Sequence, residues 1–178
     1  MSGTLSSPEP LSDDHQTESF DSGEPALDDW LRRRARANQA SGASKTYVVC
    51  EERRVVAYYA LAAGAIDQAA VPGRFGRNMP DPIPVVVLAR LAVDRNHQGR
   101  GLGRALFRDA AHRIAHAADT IGIRGIVVHA ISEEARKFYI ALGFDPCPDE
   151  AMTLVVALRD ILAALGISPS ARSPRRLR

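Results

Sequence analysis

The sequence predicts one mixed α/β domain: a central twisted sheet containing parallel and antiparallel strands, with helices on both faces. Three observations carry this reading. Two β-rich runs, residues 46–50 and 55–66, flank the charged stretch Glu51-Glu52-Arg53-Arg54, as the arms of a hairpin should. The apolar run 85–93 has the unbroken character of a fully buried central strand. It passes through a glycine-rich turn into a long amphipathic helix and then another strand, a unit that sets two parallel strands side by side. With 178 residues, 46% hydrophobic and 25% charged, the chain can bury such a core without metal or disulfide staples.

Taken in order, residues 1–10 are Ser/Pro-rich and expected to be disordered, residues 11–166 to form the domain, and residues 167–178 to be a flexible basic tail. Residues 24–39 read as a helix with Leu27, Trp30, Leu31 and Ala35 at 3–4 spacing and Arg32, Arg33, Arg34 and Arg36 on the other face. After the hairpin, residues 67–82 hold Pro72, Gly73, Gly76, Pro80 and Pro82, a long loop of the kind that tends to carry function. The helix entered from the glycine turn has one apolar stripe, Leu102, Leu106, Ala110, Ile114, Ala117 and Ile121, with Gly122 as its stop. Residues 123–130 are a strand. Ser132 then caps a helix whose first turn carries Glu133 and Glu134, the sign its dipole favours, and which ends at Gly143. A last strand over 153–158 and a short helix over 160–165 complete the order. No internal repeat is present.

Cys50 and Cys147 are the only cysteines and form no C-x-x-C pair, which excludes a disulfide framework or a cysteine metal site and makes a reducing cytoplasm the expected compartment. The polar, acidic start is not a signal peptide, and no apolar run reaches membrane-spanning length. Charge is uneven. Residues 1–30 hold eight acids and no Lys or Arg, leaving 13 acids against 23 bases in the rest. A body that basic suits a large anionic partner; because only Lys45 and Lys137 are lysines, the arginine richness equally fits genome composition.

The turn before the long helix is the strongest local signal. Gly99, Gly101 and Gly103 allow backbone N–H groups to approach an anion, the helix start adds its positive end, and Arg100 and Arg104 can add charge-assisted bonds. The ligand indicated is a pyrophosphate. A dinucleotide fingerprint fails because the sixth position from Gly99 is Arg104, and no Walker-type loop occurs. What occurs is Gln-x-x-Gly-x-Gly, on Gln98, Gly101 and Gly103.

RLAVDR followed by QGRGLG resembles the acetyl-CoA motif of the GCN5-related N-acetyltransferases, and SEEARKFYIALGF resembles that family's second half. FDSGEPALDDWLRRRARANQ, KTYVVCE, VVAYYALAAGAI, RNMPDPIPVVVLARLAVDR and TIGIRGIVVHAISEEA are similar to the acetyltransferase toxins of bacterial type II toxin–antitoxin modules. The likeness spans residues 10–165 and departs little apart from the basic tail. It implies the GNAT fold and acetyl-CoA as co-substrate, with no metal. Leu91, Ala92 and Val93 would meet the pantetheine arm; Gln98, Gly99, Arg100, Gly101, Leu102, Gly103, Arg104 and Ala105 would hold the pyrophosphate; Ser132 would sit near the pantetheine, and Tyr139 would serve the departing sulfur. It also implies aminoacyl-tRNA as acceptor, a small DNA-binding antitoxin of ribbon-helix-helix type, and a homodimer with no membrane association. For the tRNA, Arg32, Arg33, Arg34 and Arg36 are the main candidates, followed by Arg74, Arg77 and Arg90, since the guanidinium fork matches phosphate.

A free phenol titrates near 10 and a thiol near 8.5, so outright proton transfer from Tyr139 to a thiolate is uphill by about 2 kcal/mol; a hydrogen bond to the developing thiolate has no such requirement. Without the Phe138-Tyr139 match, Tyr139 would read as a core residue like Tyr47, Tyr58 or Tyr59. No carboxylate stands out as a base. An α-amine titrates at about 7.7–8.0, far below a lysine, and an ester neighbour lowers it further, so a large fraction is neutral near physiological pH, which favours it as acceptor. His112 and His116 lack a third metal ligand, and neither His97 nor His129 receives a role. Two rivals stay open: the same chemistry on a protein N-terminus, polyamine or antibiotic amine, and a non-catalytic CoA-binding module.

Overall fold

The computed structural model describes residues 3–168. Its seven strands form one sheet in the order β1-β2-β3-β4-β5-β7-β6. The strands are β1 (Glu9–Pro10), β2 (Lys45–Glu51), β3 (Arg54–Ile66), β4 (Ile83–Val93), β5 (Gly125–His129), β6 (Asp145–Cys147) and β7 (Glu150–Ala157). Between them lie α1 (Pro25–Arg33), α2 (Ala35–Ser41), α3 (Gly73–Gly76), α4 (Leu102–Ala118), α5 (Glu133–Ala141) and α6 (Leu158–Leu165). Only β4 and β5 pair in parallel; the remaining neighbours are antiparallel. The hairpin, the parallel unit and the Ser132 cap, whose Oγ accepts from Ala135 N at 3.1 Å, stand where the sequence puts them.

Side chains alternate across the sheet and so build two layers. On one face α4, α5 and α6 bury Leu106, Phe107, Ile114, Tyr139 and Ile161 against Ala57, Leu88, Ile126, Val128, Leu154 and Val156. On the other face α1 and α2 cover Val48, Tyr58 and Ala92, and α3 sets Phe75 against Val85, Val127 and Val155.

Several expectations change. Residues 5–10, read as disordered, run along the outer edge of β2: Ser6 N donates to Cys50 O at 2.8 Å, and Glu9 and Pro10 pair with Val48 and Tyr47. The segment covers an edge that would otherwise leave β2 backbone groups bare, and Leu11 and Phe20 bury their side chains beneath α1. The single helix over 24–39 is two helices meeting at Arg34 (φ −119°). α1 rests on β4 and α2 on β2, so the break lets one apolar stripe follow the twisted sheet. The long helix ends at Ala118 and leaves Ile121 59% exposed, short of Gly122. β6 has three residues, one of them Pro146, too short and too irregular to show alternation. Of the expected basic tail, residues 169–178 lie outside the described residues.

Candidate active site

β4 and β5 stay paired only from Val85↔Gly125 to Leu88↔Val128. Ala89 then bulges, because Ala60 faces Arg90 while Leu61 faces Leu88. Beyond the bulge, residues 89–93 keep β3 on one side and have no strand partner on the other. A cleft of about 330 Å³ opens there, lined by Leu91, Ala92, Val93, Ser132 and Tyr139 among others. A second cavity of about 220 Å³ continues from it over Gly99, Gly101, Leu102 and Arg104. The two share Val93, Gln98, Gly103 and Phe138, so they form one bent channel.

Local sequence shapes its inner end. Gly99 and Gly101 adopt left-handed φ values of 76° and 78°, and a Cβ at either would meet open space. Gly101 caps α4, whose first-turn N–H groups lack intrahelical partners and turn toward the second cavity. Arg100, Arg104 and Ala105 flank the same loop. Asp94 (3% exposed) fixes the approach: its carboxylate accepts from Asn96 N at 3.0 Å and from Asp21 N at 3.1 Å. Gln98 behaves differently from its expected place in the pyrophosphate set. Its carboxamide donates to Val93 O at 2.8 Å and Ser22 O at 2.9 Å, so it latches the loop to β4 and to the segment before α1.

Tyr139 enters from α5. Phe138 and Phe144 meet its ring edge-on at 5.2 and 5.5 Å, and its hydroxyl makes no hydrogen bond among the described residues. Burial alone pushes its phenol well above the ordinary range. It therefore stays protonated at any physiological pH and can donate to an anion in the channel.

The channel passes between strands and opens on both faces. Gly103, Phe138 and Tyr139 line it from the α4/α5 face; Leu27 and Arg90 line it from the α1 face. His129 belongs with the latter, since it faces Thr153 across β7 and alternates with Ile126 and Val128.

The expected tRNA arginines all sit on or beside elements of that second face, but they divide. Arg32 donates to Phe20 O (2.8 Å) and Asp29, and Arg36 to His15 O (2.6 Å), which ties α1 and α2 to the N-terminal segment. Arg90 lies over the Trp30 ring at 5.1 Å and bonds Ala89 O at 2.7 Å. Arg33, Arg34, Arg74 and Arg77 make no ion pair among the described residues. Sequence reasoning passes over Asp94, Glu24 and His129 as members of this site. Only Asp94, directly before the glycine loop, gives a local signal.

Away from the channel, Glu9, His15 and Cys50 offer ligand atoms within 4.8 Å of one another. Ser12 N donates to His15 Nδ1 at 2.9 Å, however, so a neutral ring carries its proton on Nε2 and gives it to Glu9. In that tautomer the imidazole has no lone pair left to offer a metal, and its two contacts secure the edge segment.

Residues 42–146 match the family described as acetyltransferase (GNAT) domain. A relative from Mycobacterium tuberculosis (strain ATCC 25618 / H37Rv), named tRNA-acetylating toxin, is 51% identical over 166 residues, covering 93% of this chain and 99% of its own. Among solved structures, AtaT complexed with acetyl-methionyl-tRNAfMet aligns with a TM-score of 0.83 at 32% identity, over 90% of this chain and 99% of that one. A tyrosine-to-phenylalanine variant of AtaT, bound to the C-terminus of the antitoxin AtaR and to acetyl-CoA, aligns with a TM-score of 0.77 at 31% identity, over 90% and 97%.

Proposed function

The chain belongs to the GNAT acetyltransferase family, and from that premise we propose that it is a toxin that moves the acetyl group of acetyl-CoA onto the α-amino group of aminoacyl-tRNA, blocking translation. The observation that carries this reading is the channel through the sheet. One mouth holds the glycine turn at the start of α4 and a protonated tyrosine, and the other opens on the face that carries Arg33, Arg34 and Arg90. A pyrophosphate-bearing thioester suits the first mouth and a polyanion suits the second. The likeness to a relative named for tRNA acetylation and to AtaT bound to an acetylated aminoacyl-tRNA points the same way.

In this reading the backbone of Gly99, Gly101, Leu102, Gly103, Arg104 and Ala105, with Arg100 alongside, receives the pyrophosphate. Residues 91–93 offer their unpaired strand edge to the pantetheine amides, and Ser132 borders it. The amine attacks the thioester carbonyl, and the C–S bond breaks with its electrons on sulfur. Tyr139 donates a hydrogen bond to that sulfur. Its raised phenol makes outright transfer harder than for a free tyrosine, so donation to the thiolate is the role burial supports. Arg33, Arg34, Arg74, Arg77 and Arg90 receive the tRNA backbone, whereas Arg32 and Arg36 act mainly by holding the N-terminal segment.

The partners that go with this activity are a small DNA-binding antitoxin of ribbon-helix-helix type and a second copy of the chain. No helix among the described residues is long and apolar enough to cross a membrane, in keeping with action in the cytoplasm. The direct test is incubation with bulk charged tRNA and labelled acetyl-CoA, followed by identification of the modified amino acid. Label on an N-acetylated aminoacyl end supports the reading; label only on protein or small amines moves it to another acceptor.

A further inference from the structure

Acetyl transfer releases a proton from the attacking nitrogen, and Tyr139, already protonated, cannot take it. We propose that His129 does, its ring placed by Thr153 so that Nε2 can take the proton; this rests on the acetyl-transfer reading. His129 is the last residue of β5, at the point where the sheet splays, and it lines the channel together with Tyr139. It stands on the face through which the acceptor approaches, with Arg90, whereas Tyr139 comes from the opposite face. Attacking nitrogen and leaving sulfur lie on different sides of the reacting carbonyl carbon, so a base and an acid on opposite faces match the demands of the step.

The ring is fixed at one nitrogen. Nδ1 lies 3.0 Å from Thr153 Oγ1, and Thr153 is buried on the neighbouring strand directly opposite. With Nδ1–H donating to that hydroxyl, Nε2 keeps its lone pair, and it has no partner among the described residues. The other ionisable groups lining the channel are Glu24 ahead of α1, Arg90 on β4, Glu134 on α5 and Tyr139 in the first cavity, and Arg104 and His97 in the second, where the His97 ring faces Glu51 at 3.3 Å. Histidine is the side chain that exchanges a proton in the neutral range. The balance is complete within the channel. The neutral amine forms its bond to carbon, and its N–H proton passes to His129 Nε2. The C–S pair goes to sulfur, and CoA leaves as a thiolate hydrogen-bonded by Tyr139. Imidazolium and thiolate then equilibrate with water.

The test compares wild type, His129→Asn and Thr153→Val on charged tRNA and, in parallel, on a free amino acid ester. Asparagine can keep a bond to Thr153 but cannot take the proton. Its kcat/KM should fall about a hundredfold, with calorimetric acetyl-CoA affinity unchanged. Because both amine and imidazole must be unprotonated, the logarithm of wild-type kcat/KM should fall with a slope of two below both titrations. His129→Asn should show a slope of one, and Thr153→Val a reduced rate with the slope of two retained. Proton–nitrogen correlation spectra should place the wild-type imidazole proton on Nδ1. A wild-type slope of one, an Nε2–H ring, or near wild-type turnover by His129→Asn on whichever acceptor is used would overturn the proposal. Wild-type turnover of the ester but not of charged tRNA would instead overturn the choice of acceptor.

Discussion

Tyr139 differs from Tyr58 and Tyr59, the other buried tyrosines, in what its surroundings leave undone. Tyr58 donates to Leu27 O at 2.7 Å, Tyr59 donates to Asp109, and Tyr47 stacks on Tyr59 with Arg113 over its ring. Tyr139 is as buried as a core residue, yet its hydroxyl has no protein partner among the described residues, beside the channel. Tyr139→Phe should therefore cost little stability, because no internal hydrogen bond is removed. It should lower kcat by roughly a hundredfold or more, as removal of one donor to a developing anion does, while leaving KM for acetyl-CoA nearly unchanged. Steady-state kinetics and a melting curve check both halves; wild-type kcat would remove Tyr139 from the chemistry. Sequence alone could not single out this tyrosine without its resemblance to a Phe-Tyr motif, because the difference is one of what lies opposite the hydroxyl.

At the scale of elements, the loop before α4 is legible because its requirements are local. Left-handed φ at Gly99 and Gly101 and the orphan N–H groups of a helix start follow from a few consecutive residues. Gly101→Val tests it. A Cβ at Gly101 meets nothing within 4 Å, so the protein itself has room, and the strain of an L-residue at φ 78° is on the order of 1–2 kcal/mol. The variant should stay folded with a slightly lower Tm, while its side chain enters the space above the helix start. Acetyl-CoA affinity measured by calorimetry should fall at least about tenfold; undiminished affinity in a folded variant would place the anion elsewhere. The N-terminal segment misleads for the opposite reason. Its polar, Pro-containing sequence has no period of its own, and its order comes from the edge of β2, which is distant in sequence.

For the whole molecule, the acceptor question turns on charge, because Arg33, Arg34, Arg74 and Arg77 make no ion pair among the described residues. If tRNA binds among the arginines, turnover should weaken steeply with salt as phosphate counterions are released. Arg33→Ala combined with Arg34→Ala should raise KM for charged tRNA and reduce the magnitude of the salt slope by roughly one for each phosphate left without its arginine. Acetyl-CoA binding should be unaffected, since neither residue lines the channel. Salt-insensitive turnover with unchanged kinetics in the double variant would favour a small or protein acceptor. Stability has its own pH dependence. Burial raises the phenols of Tyr58, Tyr59 and Tyr139, and burial followed by repulsion from Glu9 raises the Cys50 thiol to about 11. Groups raised in the folded state stabilise it fully below their unfolded values and lose that contribution as pH climbs toward the folded ones. Tm should accordingly hold up to about pH 8.5 and fall progressively above it; a flat profile to about pH 11 would contradict this burial. The sequence by itself determined the mixed α/β class, the hairpin, the parallel unit, the glycine turn before α4 and the helix cap of Ser132, because each depends on periodicity or on backbone chemistry within a few residues. Only the tertiary structure decided that Gln98 is a latch, that Arg32 and Arg36 are held by backbone carbonyls, and that His129 and Tyr139 meet one channel from opposite faces. The last depends on the bulge at Ala89 and the splay of β4 from β5, and the others on residues 15–22 folding back against α1, α2 and the glycine turn; each brings together residues that share no local pattern.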